Sequence, residues 1–479
     1  MAQAERERLS VLMFPWLAHG HVTPYLELAR RLVATSFPNL DVVVHLVSTP
    51  ANLAHIATPS LPSNLHLVEI RLPAEELPAS LHTTKRLPPR LMPALKHACD
   101  LAAPRFGALI DELRPDLVLY DFLQPWAPLE AASRGVPAAH FSTCSAAATA
   151  FFLHCLRTDQ SPSAFPFDAI SLGGAAQDAR YTALLASAGR GKDDDSPPPL
   201  VPERDRLPLS LDRSTVFVAV KTCADIERKY MDYLSQLTGK EIVPVGPLLV
   251  HDDPRNPGGE SSEEDAIMAW LDGEDPGSVV LVSFGSEYFL SERQMAQMAR
   301  GLELSGAPFL WVVRFPDDDN DSSGAARSLP RDYAPARGKV VQGWAPQRLV
   351  LAHGACGAFL THCGWSSVLE AMAVGVPMVA LPLHIDQPLN ANLALELGAA
   401  AARVEQPERF GEFRAEDVAR AVRAAVNGEE GKAARRRAAE LREVVARNND
   451  GDGARRQVGV LLEKMARLCG KGQGQAVAN

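Results

Sequence analysis

Polar residues suited to holding a phosphate follow a short apolar segment in the second half of this sequence. Residues 357–362 are apolar and bounded by glycines, which predicts a strand buried on both faces. A turn follows, and Trp365 begins a predicted helix with Ser366 and Ser367 in its first turn. Hydroxyls and backbone N–H groups at a helix N-terminus form a site suited to phosphate.

A second apolar segment, residues 377–383, leads to three more polar side chains, those of His384, Asp386 and Gln387. The carboxyl ends of parallel strands meet at one edge of a sheet, and open α/β sheets bind their ligands there. The two segments together predict a phosphate-bearing ligand beside polar groups that bind hydroxyls.

His21 and Asp121 are candidates for proton transfer. His21 follows an apolar run at residues 9–17, and Asp121 ends another at residues 116–121. A carboxylate that accepts from one imidazole nitrogen fixes the tautomer in which the other nitrogen acts as a base. The residues alone leave a second interpretation open, in which His21 caps a helix and Asp121 only ends a strand.

Alternating strands and helices position these side chains. The first series has predicted strands at 9–17, 41–48, 65–72, 116–121, 138–143, 215–220 and 241–247, with helices at 22–33, 88–113, 146–156 and 224–237. The second has predicted strands at 278–286, 309–314, 339–342, 357–362 and 377–383, and helices within 414–468. This alternation predicts an α/β protein with doubly wound parallel sheets. The pattern fails between residues 157 and 211, where 189–208 are rich in proline and charge.

The length of 479 residues predicts two domains. We expect an N-terminal domain at 1–248, an acidic, turn-rich linker at 249–262, a C-terminal domain at 263–455, and a C-terminal helix with a disordered tail at 456–479. Two similar α/β halves imply a cleft, where small-molecule sites commonly lie.

Composition excludes several classes of function. A net charge of −10 argues against nucleic acid as a partner, and the absence of a long apolar segment argues against membrane insertion or secretion, so we expect a cytoplasmic protein.

The seven cysteines form no CxxC pair, which argues against zinc and a disulfide framework. Acidic runs at 193–195 and 317–320 lie in turn-rich loops and favour solvated charge over a metal site. No GxGxxG follows the first strand of either half, which argues against a nicotinamide-dependent epimerase or dehydrogenase.

Residues 344–387 contain the pattern WAPQ…HCGW…E…P…DQ, in order and without gaps. This stretch, called here the donor signature, resembles the 44-residue donor-binding motif of plant UDP-sugar-dependent glycosyltransferases of family 1. The resemblance implies the GT-B fold, with two Rossmann-like doubly wound parallel-sheet domains facing across a cleft. It implies that the N-terminal domain binds the acceptor and the C-terminal domain binds the UDP-sugar. One position departs from the family, which usually has HCGWNS, because Ser366 replaces the asparagine.

The resemblance also implies roles for individual residues. It makes His21 the catalytic base and Asp121 its partner, and argues against a non-catalytic binding module. It places Trp344 on uracil, Glu370 on the ribose hydroxyls, and Gln387 at the position where glutamine is usual for glucose. The full set of residues implied to bind the UDP-sugar is Ser286, Trp344, Ala345, Gln347, His362, Gly364, Trp365, Ser366, Ser367, Glu370, Asp386 and Gln387. It implies UDP-glucose as donor substrate, no cofactor and no metal, and we expect a monomer.

The acceptor is predicted from a looser resemblance. Residues 83–96, 121–128 and 284–294 look like those of enzymes that extend the sugar of an existing glycoside. They favour transfer to a sugar hydroxyl of a flavonoid or terpenoid glycoside; the alternative is a direct O-glucosyltransferase of a free aglycone such as a flavonoid. Four aromatic residues could line an acceptor pocket or belong to the core: Trp16, Phe122, Trp126 and Phe151.

Overall fold

The computed structural model describes residues 6–56, 61–73, 77–85, 87–157, 164–187, 200–250, 261–285, 287–315, 329, 333–406 and 411–471. Two compact units account for the chain. The first contains Met1–Pro166, Gly173–Leu249 and Arg447–Asn479, and the second contains Phe167–Leu172 and Val250–Ala446. Most of the predicted linker, both acidic runs and the end of the predicted tail fall outside the described residues.

The first unit is built on a parallel sheet that has seven strands among the described residues. Its strands are β1 (Glu7–Phe14), β2 (Leu40–Ser48), β3 (Leu65–Glu69), β4 (Leu117–Tyr120), β5 (Ala138–Ser142), β6 (Phe217–Val220) and β7 (Glu241–Pro244). They lie in the order β3-β2-β1-β4-β5-β6-β7. The chain order therefore reverses between β1 and β4, which pair directly with Val11 opposite Leu117. Such a reversal is the position at which open α/β sheets bind ligands.

Helices connect these strands, as the alternating pattern predicts. They are α1 (His19–Ala34), α2 (Pro50–Ile56), α3 (Met92–Leu101), α4 (Ala103–Leu113), α5 (Ala127–Ala132), α6 (Ala146–Arg157), α7 (Ala175–Ser187), α8 (Glu203–Arg213) and α9 (Ala224–Thr238). The stretch predicted as one helix at 88–113 is a short 3-10 turn followed by α3 and α4, which meet at Ala102.

Helices α7 and α8 lie where the sequence predicts no regular structure, so that prediction is wrong. Proline inside a helix removes a hydrogen bond and clashes with the preceding turn, and α8 contains Pro208. Long-range contacts compensate, because Arg206 of this helix is fully buried against Asp100 of α3. Local propensity does not report a contact between residues so far apart in the chain.

The second unit repeats the arrangement with a parallel sheet of six strands in the described part of the chain. Its strands are β8 (Val279–Ser283), β9 (Phe309–Val313), β10 (Gly338–Gln342), β11 (Cys356–Thr361), β12 (Met378–Ala380) and β13 (Ala400–Arg403). Its helices are α10 (Ser261–Asp272), α11 (Glu292–Ser305), α12 (Gln347–Ala352), α13 (Trp365–Val374), α14 (Gln387–Glu396), α15 (Ala415–Asn427) and most of α16 (Glu429–Asn449). The order is β10-β9-β8-β11-β12-β13, so the reversal lies between β8 and β11.

The C-terminal helix, α17 (Asp452–Leu468), belongs to the first unit. Its side chains Leu461, Leu462 and Met465 are fully buried in the core beneath β1 and β2. Burial of each such side chain contributes about 1.5–3 kcal/mol. The chain before α17 is held by the Arg31 guanidinium of α1, which donates to the backbone and side-chain oxygens of Asn449 at 2.9 Å each.

None of the described helices combines the length and the apolar character that crossing a bilayer requires.

Candidate active site

His21 and Asp121 come together at the reversal point of the first sheet. His21 lies in the first turn of α1, which follows β1, and Asp121 follows β4 directly. The Nδ1 atom of His21 is 2.7 Å from Oδ2 of Asp121. A carboxylate only accepts hydrogen bonds, so Nδ1 carries the proton and the lone pair of the neutral ring is on Nε2. The His21 side chain is 18% exposed and that of Asp121 is 1% exposed, so a buried carboxylate orients an accessible imidazole.

Thr143 is a third member of this group, and the sequence analysis did not single it out. Its Oγ1 lies 3.0 Å from the same Nδ1 of His21. Thr143 follows β5, the strand beside β4, so three neighbouring strand ends supply the three side chains. The sequence could have identified Thr143 as a polar residue immediately after an apolar strand, which is the pattern that identified Asp121.

A buried histidine behind this pair carries no positive charge at neutral pH. Burial lowers the pKa of His140 to about 4, against an opposing effect of the Asp121 carboxylate. Its Nδ1–H donates to the backbone oxygen of Tyr120 at 3.0 Å. The negative charge of Asp121 is therefore not neutralised by His140, and His21 is the titratable group in hydrogen-bond contact with this carboxylate.

The four candidate acceptor-pocket aromatics divide into core and site. Trp16, Trp126 and Phe151 are buried, with exposures of 4%, 8% and 0%, and belong to the packed interior. Phe122 is half-buried, and its ring centroid is 6.1 Å from that of His21. Of these four residues, Phe122 is the partly exposed one, and it lies beside His21.

His362 lies at the reversal point of the second sheet, directly after β11. Burial, with a smaller contribution from the Arg314 guanidinium, lowers the pKa of His362 to about 4. The ring is therefore neutral at pH 7 and offers an N–H donor instead of a full charge. A Cβ on Gly285 would approach the ring to 3.0 Å and one on Gly364 to 2.8 Å, so both glycines are needed for this close packing. Ser286, predicted beside His362, lies outside the described residues.

Helix α13 points its N-terminus towards this edge. Its N-cap is Gly364, whose lack of a side chain leaves the first-turn N–H groups without a capping oxygen from that residue. Trp365 and Ser367 are buried, and Ser366 is half-buried in the same turn. The N–H groups of a first helical turn and the helix dipole both favour an anion at this position.

Gln347 and Glu370 are in direct contact. Nε2 of Gln347 donates to Oε2 of Glu370 at 2.8 Å, which fixes the orientation of the carboxylate. Trp344 is half-buried and Ala345 is buried in the turn before α12. Arg314, which the sequence analysis missed, donates through Nε to the oxygen of Gly343 at 3.0 Å and so holds the residue before Trp344.

Asp386 ends the loop between β12 and α14, Gln387 begins α14, and local hydrogen bonds use part of both side chains. Oε1 of Gln387 accepts from the N–H groups of Leu383 at 2.9 Å and His384 at 2.8 Å. Oδ2 of Asp386 accepts from Nδ2 of Asn390 at 2.9 Å. The Nδ2 group of Asn390 also donates to the Cys363 oxygen at 3.1 Å and so joins the two loops.

Each of the same two loops contains a residue with a left-handed backbone conformation. Cys363 has φ 65° and Ile385 has φ 46°, a left-handed conformation that is costly for a β-branched side chain. Each such residue costs about 1–3 kcal/mol, and residues of this kind cluster at ligand sites. The loops after β11 and β12 are thus held in shapes that their own sequences do not prefer.

Two doubly wound α/β units, one with an oriented histidine and one with a helix N-terminus at the reversal point of its sheet, define a GT-B type of enzyme. The profile of the family described as "UDP-glucoronosyl and UDP-glucosyl transferase" matches residues 256–441. The chain is 39% identical to Mogroside IIIx synthase of Siraitia grosvenorii over 91% of its own length and 93% of the relative's. The chain belongs to this UDP-glycosyltransferase family and is a glycosyltransferase.

One further relative and one solved structure agree with this assignment. Beta-D-glucosyl crocetin beta-1,6-glucosyltransferase of Gardenia jasminoides is 40% identical, over 86% of this chain and 90% of that protein. The crystal structure of UGT73P12 of Glycyrrhiza uralensis, complexed with glycyrrhetinic acid 3-O-monoglucuronide, aligns with a TM-score of 0.78. It covers 96% of each chain at 24% identity, so it supports the fold.

Proposed function

We propose that this glycosyltransferase moves glucose from UDP-glucose to a sugar hydroxyl of a plant small-molecule glycoside, with inversion at the anomeric carbon. The observation that carries the proposal is the contact of 2.7 Å between Nδ1 of His21 and Oδ2 of Asp121 at the reversal point of the first sheet. In this proposal Nε2 of His21 takes the proton from the acceptor hydroxyl as the oxygen attacks the sugar. Asp121 holds the required tautomer and stabilises the imidazolium that forms.

The donor signature supports the other half of the reaction. The N-terminus of α13, with Ser366 and Ser367, faces the diphosphate and stabilises the charge that develops as UDP leaves. His362 donates a hydrogen bond as a neutral ring. Trp344 stacks on uracil, and Glu370, oriented by Gln347, accepts from the ribose hydroxyls. A helix terminus and neutral donors supply the stabilisation that a cation would otherwise give, so we propose that the enzyme needs no metal.

Asp386 and Gln387 are proposed to bind the transferred sugar. Because Oε1 of Gln387 is occupied by backbone N–H groups, its Nε2 amide is the group that meets a sugar hydroxyl as a donor. Asp386 supplies an acceptor beside it. The pair offers one donor and one acceptor to neighbouring hydroxyls of glucose.

The preference for a glycoside acceptor is tested by a turnover screen with paired substrates. We expect UDP-glucose to be consumed with flavonoid or triterpenoid monoglucosides at a kcat/KM at least about tenfold above that with the matching free aglycones. Mass spectrometry and NMR of the products identify the linkage. Faster turnover of the aglycones would assign the enzyme to direct O-glucosylation instead.

The same screen with EDTA should give unchanged rates, and lost activity restored by a divalent cation would contradict the metal-free proposal.

Ser366→Asn tests the position at which the donor signature departs from its family. A longer amide that reaches the diphosphate adds a hydrogen bond to a charged group, so we expect UDP to bind about tenfold more tightly. Isothermal titration calorimetry measures this dissociation constant. Ser133→Asn is a matched control, because Ser133 is exposed in the first unit and its hydroxyl donates to Glu130. An unchanged constant for Ser366→Asn would mean that Ser366 already satisfies the site.

A further inference from the structure

Helix α8 lies against the loop that carries Asp121. This loop, residues 121–126, is called here the Asp121 loop. Arg206, Ser210 and Arg213 follow one another at intervals of four and three residues, so they share one face of the helix. Each side chain donates to a different backbone oxygen of the loop. Arg206 reaches Leu123 at 2.7 Å, Ser210 reaches Phe122 at 2.9 Å and Arg213 reaches Pro125 at 2.6 Å.

Ser210 binds the residues on both sides of Asp121. Its backbone oxygen accepts from the Tyr120 hydroxyl at 2.6 Å, and its own hydroxyl donates to the Phe122 oxygen. One residue of α8 is therefore bonded to both neighbours of Asp121, to the side chain of Tyr120 and to the backbone oxygen of Phe122. Hydrogen bonds to flanking residues restrict rotation of the intervening peptide units, and so restrict the direction of the Asp121 side chain.

A buried ion pair fixes α8 itself. The Arg206 guanidinium donates to the two carboxylate oxygens of Asp100 at 3.0 and 2.7 Å, and both residues are at most 4% exposed. Such a two-point contact fixes direction as well as distance. Nε1 of Trp126 donates to Oδ1 of Asp100 at 3.0 Å, so the same carboxylate holds the far end of the Asp121 loop.

The near end of the loop is joined to β1. The Leu123 N–H donates to Oδ1 of Asp121 at 3.3 Å, which leaves Oδ2 for His21. Nε2 of Gln124 donates to the oxygen of Pro15, between β1 and α1, at 3.1 Å. The loop is therefore fixed relative to both the strand before His21 and the helix α8.

We propose that α8 is a positioning element of the active site: Ser210 and Arg213, on a helix anchored by Arg206 and Asp100, hold the Asp121 loop so that Oδ2 of Asp121 stays in contact with His21. The proposal rests on the proposed function, in which His21 is the base and Asp121 its partner. Groups in an active site must be held to within about 0.5 Å by surrounding contacts to work at full efficiency. The four positions act through Asp121 and touch no substrate in this proposal.

The test uses the full chain and variants that keep the core packed. Ser210→Ala removes one hydroxyl, and Arg213→Met removes the donor to Pro125 while retaining an apolar stem. We expect each to lower kcat about tenfold, with the KM for UDP-glucose and the unfolding temperature close to those of the parent. Arg213→Lys retains an N–H donor and should recover activity to within about twofold. Arg204→Met is the matched control, because Arg204 lies in the first turn of the same helix and is 53% exposed.

A double-mutant cycle separates this inference from the proposed function. If α8 acts through Asp121, Ser210→Ala should lower kcat less than about twofold in an Asp121→Ala background, although it lowers kcat about tenfold in the parent. Equal losses in both backgrounds, or parent-like kcat in Ser210→Ala and Arg213→Met, would overturn the positioning role. Full activity of Asp121→Ala itself would instead overturn the proposed function.

The pH dependence of kcat/KM tests the proposal further, because a loss of stability alone would not shift it along the pH axis. A displaced Asp121 stabilises the imidazolium of His21 less, so the acid limb of kcat/KM for Ser210→Ala should move to lower pH. Arg204→Met should keep the profile of the parent. A profile for Ser210→Ala that matches the parent at reduced amplitude would contradict the proposal, because Asp121 would then be in place.

Discussion

Replacement of His21 by alanine is expected to reduce transfer from UDP-glucose about 10³-fold, the middle of the range for loss of a general base. The protein should fold as before, because the side chain is partly exposed and its contacts are with Asp121 and Thr143 at the edge of the sheet. The donor signature lies in the other unit, so the dissociation constant for UDP should not change. Initial rates with UDP-glucose and calorimetry with UDP measure the two quantities separately.

His19→Ala is the matched control for this experiment. His19 is two residues earlier on the same helix and is also partly exposed, with its ring centroid 5.8 Å from that of His55. We expect it to retain activity within about threefold, since the carboxylate of Asp121 is bonded to His21 and sets the tautomer of that ring. Near-full turnover by His21→Ala, or equal losses in both variants, would remove His21 from the role of base.

Replacement of Asp121 by alanine is expected to give a loss that depends on the acceptor. The imidazole remains but loses the carboxylate that fixes its tautomer and stabilises its charged form, so it becomes a weaker base. A phenol ionises readily and needs little assistance, whereas a sugar hydroxyl needs a strong base. We expect kcat to fall about 10³-fold with a sugar hydroxyl and only about tenfold with an activated phenol. Parallel assays with a glycoside and a nitrophenol measure the ratio.

Asp116→Ala controls for the loss of a carboxylate from the same strand region. Asp116 lies before β4, at the opposite end from Asp121, and accepts from the Ser10 N–H at 2.7 Å. Its removal should lower the stability of the protein and should leave the ratio of kcat with the glycoside to kcat with the nitrophenol unchanged. If Asp121→Ala reduced both rates by the same factor, Asp121 would have no orienting role in proton transfer.

The donor signature could be predicted almost completely from the sequence. Its strand, turn and helix follow one another within 44 residues, and the contacts that shape it are mostly local. Gln347 meets Glu370 across 23 residues, and Asp386 meets Asn390 within one helical turn. The periodicity of apolar residues places these polar groups at one edge of the sheet without knowledge of distant segments. The occupied oxygen of Gln387 and the strain at Ile385 required coordinates, because backbone torsions are not visible in residue types.

The pairing of His21 with Asp121 needed the tertiary structure. The sequence predicts that each follows a strand of the first sheet, but 100 residues separate them and strand order is not a local property. Only the placement of β4 beside β1 brings the two side chains to 2.7 Å, and β5 beside β4 adds Thr143. The resemblance to a family anticipated the pair, whereas periodicity alone left a helix cap and a strand end as an equal interpretation.

Helix α8 shows the limit of local reasoning most clearly. Pro208 inside it argues against a helix, and no regular structure was predicted for the segment from its content of proline and charge. The helix exists because Arg206 pairs with Asp100, 106 positions away, and because Ser210 and Arg213 meet backbone oxygens beyond β4. By itself, the sequence determined the two α/β halves, the family and the donor signature, since these depend on local periodicity and a contiguous motif. The tertiary structure alone decided that Thr143 joins His21 and that α8 contacts the loop after Asp121, because those contacts depend on strand order and long-range packing.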